Sequence, residues 1–422
     1  MRMTRERVAV IGSGIAGLTA AYLLRERYAV TLFEREPRLG GHAHTHRFRD
    51  GSATVPVDSG FIVHNTRTYP NLVRLFGELG IRTQPSEMSL SVQCRGCGLE
   101  YAGGKGIAGL FAQPGNLVRP RFLRMLATVP RFHRAALRLL DDPLAPETTL
   151  YEFLRAGRFP RYFTDHLLLP LISAVWSANL TDAGRYPARY LFTFLRHHGL
   201  LSVGGAPAWR TVVGGSREYV ARIAERLATV HRGRPVRAVY RDASGVRIVD
   251  AGGTVHEAER VVIATHPDQA LELLAEPSET EQRVLGAFGY TSNETWLHHD
   301  AGALPRRPAA RASWNYRKPG CRSDPGQVLV SYDLTRLMRL PQGRRYVVTL
   351  NATEGVEPGA VLEKMVYEHP VYTPESVAAQ AKLPSLNDGR TAFAGAYHGW
   401  GFHEDGCAAG VRAAESFGVR WR

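Results

Sequence analysis

Residues 8 to 17 read Val8-Ala9-Val10-Ile11-Gly12-Ser13-Gly14-Ile15-Ala16-Gly17. This is the G-x-G-x-x-G pattern, with an apolar run before it that can form a buried strand and a helix predicted after it over residues 18–27. A second apolar run, residues 29–33, ends on Glu34, which lies 20 residues after Gly14, where a carboxylate can accept hydrogen bonds from both ribose hydroxyls. The order of strand, glycine turn, helix, strand and acid predicts a Rossmann-type dinucleotide-binding unit.

The three glycines of the pattern have separate predicted roles. Gly12 permits the tight turn, Gly14 lets the backbone approach a pyrophosphate, and Gly17 lets the helix pack closely on the strand. The free N–H groups at the helix N-terminus, around Ile15 and Ala16, would face the phosphates. Glycines alone are weak evidence, but in this setting we expect them to hold a nucleotide.

A second glycine pair follows the acid in the segment Arg38-Leu39-Gly40-Gly41-His42. It resembles the R-x-G-G-R segment of the flavin amine oxidase and phytoene desaturase superfamily, where the glycine pair passes close to the FAD pyrophosphate and ribityl chain. The resemblance implies that FAD is the cofactor and that Arg35 and Arg38 lie near it. His42 stands where the superfamily has a second Arg.

Length and composition fit a large enzyme. The 422 residues can bury a sizeable core, 44% are hydrophobic, and no stretch is apolar enough to predict a membrane-spanning helix. Lys and Arg number 53 against 39 acids, a net charge of +14. This excess indicates either a solvated basic surface or attraction to anionic lipid or substrate. No basic tract interleaved with aromatic residues predicts nucleic-acid binding.

The order of the predicted elements gives an α/β fold of two domains, like that of the flavin amine oxidases. We assign residues 1–89, 205–270 and 386–422 to a discontinuous Rossmann-type FAD-binding domain. A substrate domain would combine residues 90–204, mostly helical, with residues 271–385, mostly strand. Within the last range, strand-like runs near residues 295, 312, 328 and 346 predict an antiparallel sheet under a pocket.

A narrower resemblance covers nearly the whole chain. The matching motifs are Gly41-His42-Ala43-His44-Thr45, Asp58-Ser59-Gly60-Phe61-Ile62-Val63-His64-Asn65, Asn116-Leu117-Val118-Arg119-Pro120-Arg121-Phe122, Ala174-Val175-Trp176-Ser177, Trp209-Arg210-Thr211-Val212-Val213-Gly214-Gly215-Ser216 and Gly401-Phe402-His403-Glu404-Asp405-Gly406. They resemble a bacterial group of flavin amine oxidase-like oxidoreductases associated with cyclopropane-fatty-acid synthase-like methyltransferases. The resemblance implies dehydrogenation of a methylated or otherwise modified fatty acyl lipid.

The resemblance also implies further cofactor contacts. The strand at Val236 would lie beside the adenine, and the strand ending at Ala264 would approach the cofactor. In the last segment the superfamily carries Gly-Asp, where this chain has Gly395-Ala396. Asp405, or backbone N–H groups of the Gly401–Gly406 turn that contains Phe402, would take over that role, and the last helix is predicted from residue 408.

Catalytic candidates are few, because a flavin itself accepts the hydride. Removing a proton from carbon would need a base, and His403 and Glu404 are the first candidates because their segment should lie along the isoalloxazine. His64 comes next. For Glu404 a helix cap is an equally good interpretation, and for Asp405 a cap or a cofactor contact is preferred to a base.

Aromatic residues supply candidates for an apolar substrate pocket. These are Trp176, Trp314, Tyr316 and Tyr332, and core packing is the alternative for each of them.

A metal site is not predicted. Cys94 and Cys97 form C-R-G-C at a hairpin tip, but a second C-x-x-C is missing, and Cys321 and Cys407 are predicted to have no nearby partners. Three histidines, at 42, 44 and 46, lack a carboxylate or Cys at ligand spacing, so flavin-phosphate contact or a polar strand face is the preferred interpretation.

Three functions therefore stay open. The first is an FAD-dependent dehydrogenase or desaturase of acyl lipid; the second is an amine or small-molecule oxidase; the third is a flavin-binding accessory protein of a lipid-modifying complex. The first predicts an apolar small-molecule substrate and a cytoplasmic protein bound peripherally to the anionic inner membrane face. Residues 116–138, rich in Arg among apolar residues, are the candidate membrane face, and a solvated helix pair with its apolar side in the core is at least as good an interpretation. The oligomeric state is left open.

Overall fold

The computed structural model describes residues 5–177, 180–202, 204–205, 207–322, 329–341, 343–352 and 355–421. Its strands are, in chain order, β1 (Arg7–Ile11), β2 (Ala29–Phe33), β3 (Thr45–Asp50), β4 (Ala53–Asp58), β5 (Val63–Asn65), β6 (Thr83–Pro85), β7 (Leu90–Cys94), β8 (Leu99–Gly103), β9 (Trp209–Val212), β10 (Thr229–His231), β11 (Val236–Asp242), β12 (Gly245–Asp250), β13 (Val255–Ala258), β14 (Arg260–Ile263), β15 (Gly289–His298), β16 (Trp314–Lys318), β17 (Leu329–Asp333), β18 (Val347–Leu350), β19 (Val361–Val371) and β20 (Thr391–Phe393).

The helices concentrate in the middle of the chain. They are α1 (Ile15–Leu24), α2 (Pro70–Leu79), α3 (Gly106–Leu110), α4 (Pro120–Asp141), α5 (Leu150–Ala156), α6 (Arg161–Phe163), α7 (Leu169–Trp176), α8 (Leu180–Arg185), α9 (Ala188–His197), α10 (Arg217–Ala224), α11 (Pro267–Leu273), α12 (Glu279–Leu285), α13 (Leu334–Leu337), α14 (Pro374–Gln380) and α15 (His403–Ser416). A π-helix, Thr164–Leu168, separates α6 from α7. Within the described residues, no helix combines the length and apolarity needed to cross a bilayer.

A five-stranded parallel sheet forms the first layer, in the order β10-β2-β1-β14-β20. Its strands come from three separate stretches of the chain, which the sequence predicted to return to one domain. All ten residues of α1 are buried, because this helix packs between the sheet and α15. A helix buried all round carries no polar stripe, and the sequence of α1 has none. The predicted α/β fold is confirmed.

Two helix boundaries differ from the prediction. α1 begins at Ile15 and not at residue 18, since Gly14 is its N-cap with extended backbone. α15 begins at His403 and not at residue 408, because the Asp405 carboxylate accepts a hydrogen bond from the Phe402 N–H and completes the first turn.

A seven-stranded sheet forms the second layer, in the order β19-β15-β18-β17-β16-β7-β8. The four predicted strand runs fall on β15 to β18. These four strands pair antiparallel with one another, as predicted, and β7 joins the sheet in parallel with β16. The edge strand β19 was missed because its sequence, with Glu363, Lys364, Glu368 and Pro370, reads as polar; charges and Pro are common on sheet edges.

Helices α4 to α9 cover one end of this second sheet. Their aromatic residues pack together into one cluster, in which the Phe132 ring contacts those of Phe153, Phe163 and Phe192. Tyr316 of β16 belongs to the same cluster. The helices and the second sheet therefore share a hydrophobic core, separate from the core around α1.

Candidate active site

One continuous cavity of about 1880 Å³ runs between the two sheets. It begins at the carboxyl ends of β1, β2 and β14, which is where parallel α/β sheets bind nucleotides. It continues past the second sheet to the helices α4 and α7. The predicted cofactor residues that line it are Gly12, Gly14, Ile15, Ala16, Glu34, Arg35, Arg38, Gly41, His42, Val236, Ala264, Gly395 and Phe402.

The fingerprint glycines divide into structural and cavity-facing positions. Gly12 has a φ of +100°, and a Cβ added at Gly17 would lie 1.9 Å from the Gly12 carbonyl oxygen. Both positions therefore exclude a side chain for reasons of folding. A Cβ added at Gly14 would meet nothing within 4 Å. This empty space beside the N-terminus of α1 fits the pyrophosphate of a dinucleotide.

The Gly40-Gly41 pair packs against the glycine turn of the fingerprint. A Cβ added at Gly41 would lie 3.1 Å from the Gly14 Cα, and one at Gly40 would lie 2.5 Å from the Ala43 carbonyl oxygen. Gly40 itself does not line the cavity, so its role is to form the turn. Arg38 donates from Nη1 to the Gly41 carbonyl at 2.7 Å within the same segment, and the Gly40 N–H donates to the Ser13 carbonyl at 3.1 Å, which joins the segment to the fingerprint.

Glu34 is held in a fixed orientation at the end of β2. Its Oε2 accepts a hydrogen bond from the Ser13 N–H at 2.9 Å and another from the Ser13 hydroxyl, and its Oε1 accepts from the Glu36 N–H at 2.9 Å. The side chain is largely buried and lines the cavity. A carboxylate held in this orientation can accept hydrogen bonds from the predicted ribose hydroxyls.

His42 is a neutral group in this structure. Its ring lies 5.0 Å from that of Tyr367 and 5.8 Å from that of His369. Burial, and then the neighbouring His369, lower the pKa of His42 well below its usual value. His42 therefore does not reproduce the permanent charge of the Arg found in the superfamily, although it can still donate an N–H to a phosphate.

Asp405 caps its own helix. It accepts the Phe402 N–H at 2.9 Å, and burial raises the pKa of Asp405 to about 7. A Cβ added at Gly399 would lie 2.1 Å from its Oδ1. Asp405 does not line the cavity, and its contacts favour the cap over the cofactor contact. At Gly395-Ala396 the cavity wall is backbone and Gly395 is extended, with a φ of 176°.

Glu404 caps a different helix from the one predicted. Its Oε1 accepts from the Asn71 N–H at 3.1 Å and from Asn71 Nδ2 at 2.7 Å, and its Oε2 accepts from the Leu72 N–H at 3.0 Å. These donors lie in the first turn of α2. Glu404 does not line the cavity, and its contacts are those of a cap, one of the two interpretations that the sequence left open. The carboxylate instead holds α2 against α15.

We expect Glu404→Ala to lose stability and keep turnover. Removing the cap should lower the free energy of unfolding by about 1–2 kcal/mol, seen as a lower thermal midpoint. FAD content and the rate of flavin reduction per folded molecule should stay unchanged. Glu415→Ala, at an exposed position of the same helix, should change neither the thermal midpoint nor the rate of flavin reduction. Slower flavin reduction with an unchanged midpoint would restore the base interpretation.

Of the three catalytic candidates, His403 is the one that lines the cavity. Its ring stacks on Phe61, with centroids 3.7 Å apart, and its Nε2 lies 3.1 Å from the Tyr219 hydroxyl. Burial lowers the pKa of His403 to about 3, so the imidazole is neutral. His64 points away from the cavity into the core, where its ring meets Phe76 edge-on. The structure thus speaks against His64 as a catalytic residue.

The far end of the cavity is apolar. Trp176, Trp314 and Tyr332 line it as predicted, whereas Tyr316 is buried in the core among the helices and does not reach it. The sequence analysis missed the aliphatic residues that complete the wall. They are Leu90, Leu110, Leu126, Val129, Leu167, Leu171, Val175, Leu337, Val348, Leu350 and Met365.

The nucleotide end also contains residues that the sequence analysis missed. Tyr367 and His369 of β19 face it, together with His266. Tyr367 donates to or accepts from Ser59 at 2.7 Å, and its hydroxyl lies 3.1 Å from His44 Nδ1. The missed strand β19 therefore forms one wall of the cofactor end.

One cysteine prediction is wrong. Cys321 does have a neighbour, since its Sγ lies 3.9 Å from that of Cys94. Cys407 lies elsewhere, buried beside Thr19 with its Sγ 3.5 Å from the Thr19 hydroxyl. None of the four cysteines forms a disulfide bond.

Comparison with known proteins places the chain in a family. The model of the flavin containing amine oxidoreductase family matches residues 15–333. Coproporphyrinogen III oxidase of Mycobacterium leprae is 26% identical over 293 residues, which are 64% of this chain and 62% of that protein. The solved structure of a putrescine oxidase double mutant has a TM-score of 0.68 at 17% identity, covering 99% of this chain and 100% of its own. Cyclohexylamine oxidase from Brevibacterium oxydans gives 0.67 at 18% identity, over 98% of each chain.

The chain belongs to the flavin containing amine oxidoreductase family. The predicted FAD cofactor and the predicted class of FAD-dependent oxidoreductase are confirmed by this membership. The chain spans about 62% of the length of the curated relative named above. Its substrate and reaction are therefore matters for a proposal.

Proposed function

We propose that this protein dehydrogenates a methylated or otherwise modified fatty acyl chain. One observation supports this most strongly: a single cavity joins the nucleotide end to an end walled by aliphatic side chains. An acyl chain is apolar along its length, and its burial against Leu, Val and Met is favourable by roughly 0.8 kcal/mol per methylene group. The aliphatic wall is therefore expected to bind an acyl chain more favourably than a small polar substrate.

The residues present fit FAD at the other end. Gly14 leaves space for the pyrophosphate, the first turn of α1 offers its N–H groups, and Glu34 offers its carboxylate. FAD would supply the hydride acceptor. The chain's own contribution is to hold the acyl carbon in place and exclude water. His403 is the side chain best placed to accept a proton, through a neutral ring held by Phe61 and Tyr219.

The charges at the apolar end favour an acyl chain over an amine. An ammonium substrate would need an available carboxylate or an aromatic face. Glu87 lines this end, but its Oε2 is paired with Arg336 Nη1 at 2.9 Å and its Oε1 accepts from the Ser89 hydroxyl. His133 also lines it, and burial lowers the pKa of His133. Glu87 is therefore not free to pair with a cation, and a cation at this end would depend on the aromatic faces of Trp176, Trp314 and Tyr332.

Access from a membrane is part of the same proposal. Exposed apolar residues cluster just before and at the start of α4: Ile107, Leu117, Val118 and Leu123. Pro130 of α4 and the segment at Leu200 and Ser202 line the cavity and are also exposed, so the cavity opens to the surface beside α4. We propose that this face rests on an anionic bilayer that holds the acyl substrate.

Anaerobic photometry tests the proposal directly. We expect the visible absorption of the oxidised flavin to bleach with phospholipid vesicles whose acyl chains carry a methyl branch, and not with putrescine or cyclohexylamine. Bleaching by the amines alone would establish the amine oxidase alternative. A flavin that responds to neither group would favour an accessory, non-catalytic protein.

We expect Leu171→Trp to block the apolar end selectively. Leu171 lines the cavity from α7, and the larger indole would fill space that the acyl chain needs. FAD content should stay unchanged, while flavin reduction by the long-chain lipid should fall by about 10-fold, a loss of about 1.4 kcal/mol. Leu144→Trp, at a position that is 91% exposed, is the matched control. Equal rates for both variants would contradict the assignment of this end to the substrate.

A further inference from the structure

Three distant segments of the chain bring four metal-ligand side chains together. Cys94 ends β7, Cys97 lies in the turn before β8, His166 lies in the π-helix, and Cys321 follows β16. The ligand atoms of these four residues all lie within 4.8 Å of one another. They lie outside the cavity lining, and the proposed reaction has no use for them.

The distances match a metal site better than a disulfide. Cys94 Sγ is 3.9 Å from Cys321 Sγ, and Cys97 Sγ is 3.7 Å from His166 Nε2. A tetrahedral zinc ion with Zn–S of about 2.3 Å and Zn–N of about 2.0–2.1 Å separates its ligand atoms by about 3.6–3.8 Å. A disulfide would require about 2.05 Å. We propose that Cys94, Cys97, His166 and Cys321 bind one structural Zn²⁺ ion.

The surroundings of the cluster favour a bound cation. The Cys97 sulfur lies 3.7 Å from the Tyr162 hydroxyl and 3.7 Å from His166 Nε2. Three thiols this close repel one another when ionised. A divalent cation removes that repulsion and lets all three become thiolates.

The packing around His166 fixes the orientation of its imidazole ring. Its ring stacks on Tyr162 with centroids 3.9 Å apart, and its backbone carbonyl accepts the Tyr101 hydroxyl at 2.7 Å. The residue is 1% exposed, and its Nδ1 has no hydrogen-bond partner among the described residues. π-helical turns often occur at functional sites, because the extra residue re-aims a side chain. Here the turn directs the imidazole toward Cys97.

The consequence for the protein is structural. The hairpin β7–β8 carries Leu90 and Tyr101, which line the cavity, and the π-helix leads into α7 with Leu171 and Trp176. A four-ligand zinc site leaves no open position for catalysis. The ion would instead tie the hairpin to the wall of the apolar end, and binding free energy would add to folding stability.

Metal analysis of the FAD-loaded protein tests the proposal. We expect about one zinc per chain after purification without chelators. A mercurial thiol reagent should release that zinc from the unmutated protein, in step with modification of three cysteines and detected by a chromophoric zinc indicator. Co²⁺ in place of zinc should give the intense d–d absorption of a tetrahedral thiolate site, at longer wavelength than the flavin.

Matched variants separate a ligand from a structural thiol. Cys97→Ser and His166→Ala should lower the zinc content to below about one tenth per chain, and His166→Cys should restore it, since Cys₄ also binds zinc. Cys407→Ser, a buried cysteine outside the cluster, should keep full zinc. Stoichiometric iron, a Cys94–Cys321 disulfide in the purified protein, or three freely titrating thiols with no metal would each overturn the proposal.

Discussion

Gly14→Val should give a folded protein that has lost FAD. The backbone at Gly14 has φ −63° and ψ 175°, a conformation that valine adopts without strain. No protein atom lies within 4 Å of the added Cβ, so the apoprotein can accommodate it. The isopropyl group would occupy the space assigned to the pyrophosphate, and we expect FAD affinity to fall at least about 100-fold, or about 2.7 kcal/mol.

Two other glycines provide the comparison. Gly289→Val, at the start of β15, also adds a Cβ that meets nothing within 4 Å, but it does not line the cavity and should keep FAD. Gly17→Val would clash with the Gly12 carbonyl and should fail to fold. The readouts are the flavin-to-protein absorbance ratio, a fluorescence titration with FAD, and the thermal midpoint measured against FAD-free wild type. A Gly14→Val variant that purifies with full FAD would show that the cofactor does not approach this turn.

The cofactor end was predictable because its signals are local. The strand, turn, helix and acid of the fingerprint lie within 27 residues, from Val8 to Glu34, and each glycine acts through its own backbone. The antiparallel runs on β15 to β18 were found for the same reason, since a period of two residues shows within one strand.

The questions that the sequence left open or answered wrongly depend on contacts between distant parts of the chain. Glu404 meets Asn71 across 333 positions, and Cys321 meets Cys94 across 227. The sequence around Glu404, at the start of α15, is the same whether the side chain serves as a base, as a cap of α15 or as a cap of α2. The choice is made by tertiary packing, which places the first turn of α2 over the start of α15.

The apolar wall was hidden for a different physical reason. In α4, Phe122, Met125 and Phe132 enter the core, while Leu126 and Val129 line the cavity. All of them follow the same helical period, so a residue facing an empty space cannot be told from one facing a neighbour. Only the three-dimensional arrangement separates a substrate wall from a core.

The outer face of α4 carries the charge that would hold the protein on a membrane. Arg121, Arg124 and Arg138 are exposed on this face. Within the described residues none of them pairs with a carboxylate, unlike Arg161 and Arg196 of the neighbouring helices, which do. Each basic residue near an anionic surface contributes about 1 kcal/mol, and salt screens this attraction within a Debye length of about 8–10 Å.

Reversing three of these charges should therefore abolish membrane binding. We expect the wild-type protein to float with anionic phospholipid vesicles at low salt and to stay behind at high salt. Arg121→Glu, Arg124→Glu and Arg138→Glu together should weaken that binding by about 100-fold or more, since at least about 3 kcal/mol of attraction is lost. FAD content and the thermal midpoint should change little, because these side chains are exposed.

The control variant changes the same charge on the other layer of the molecule. Arg226, Arg232 and Arg237 are exposed near α10 and β11, and their joint replacement by Glu also changes the net charge by −6, from +14 to +8. If binding depends on the face beside the cavity opening, this control should still float with anionic vesicles at low salt. Equal loss in both variants would mean that net charge alone acts, and flotation of the α4 variant at wild-type level would remove this face from the membrane.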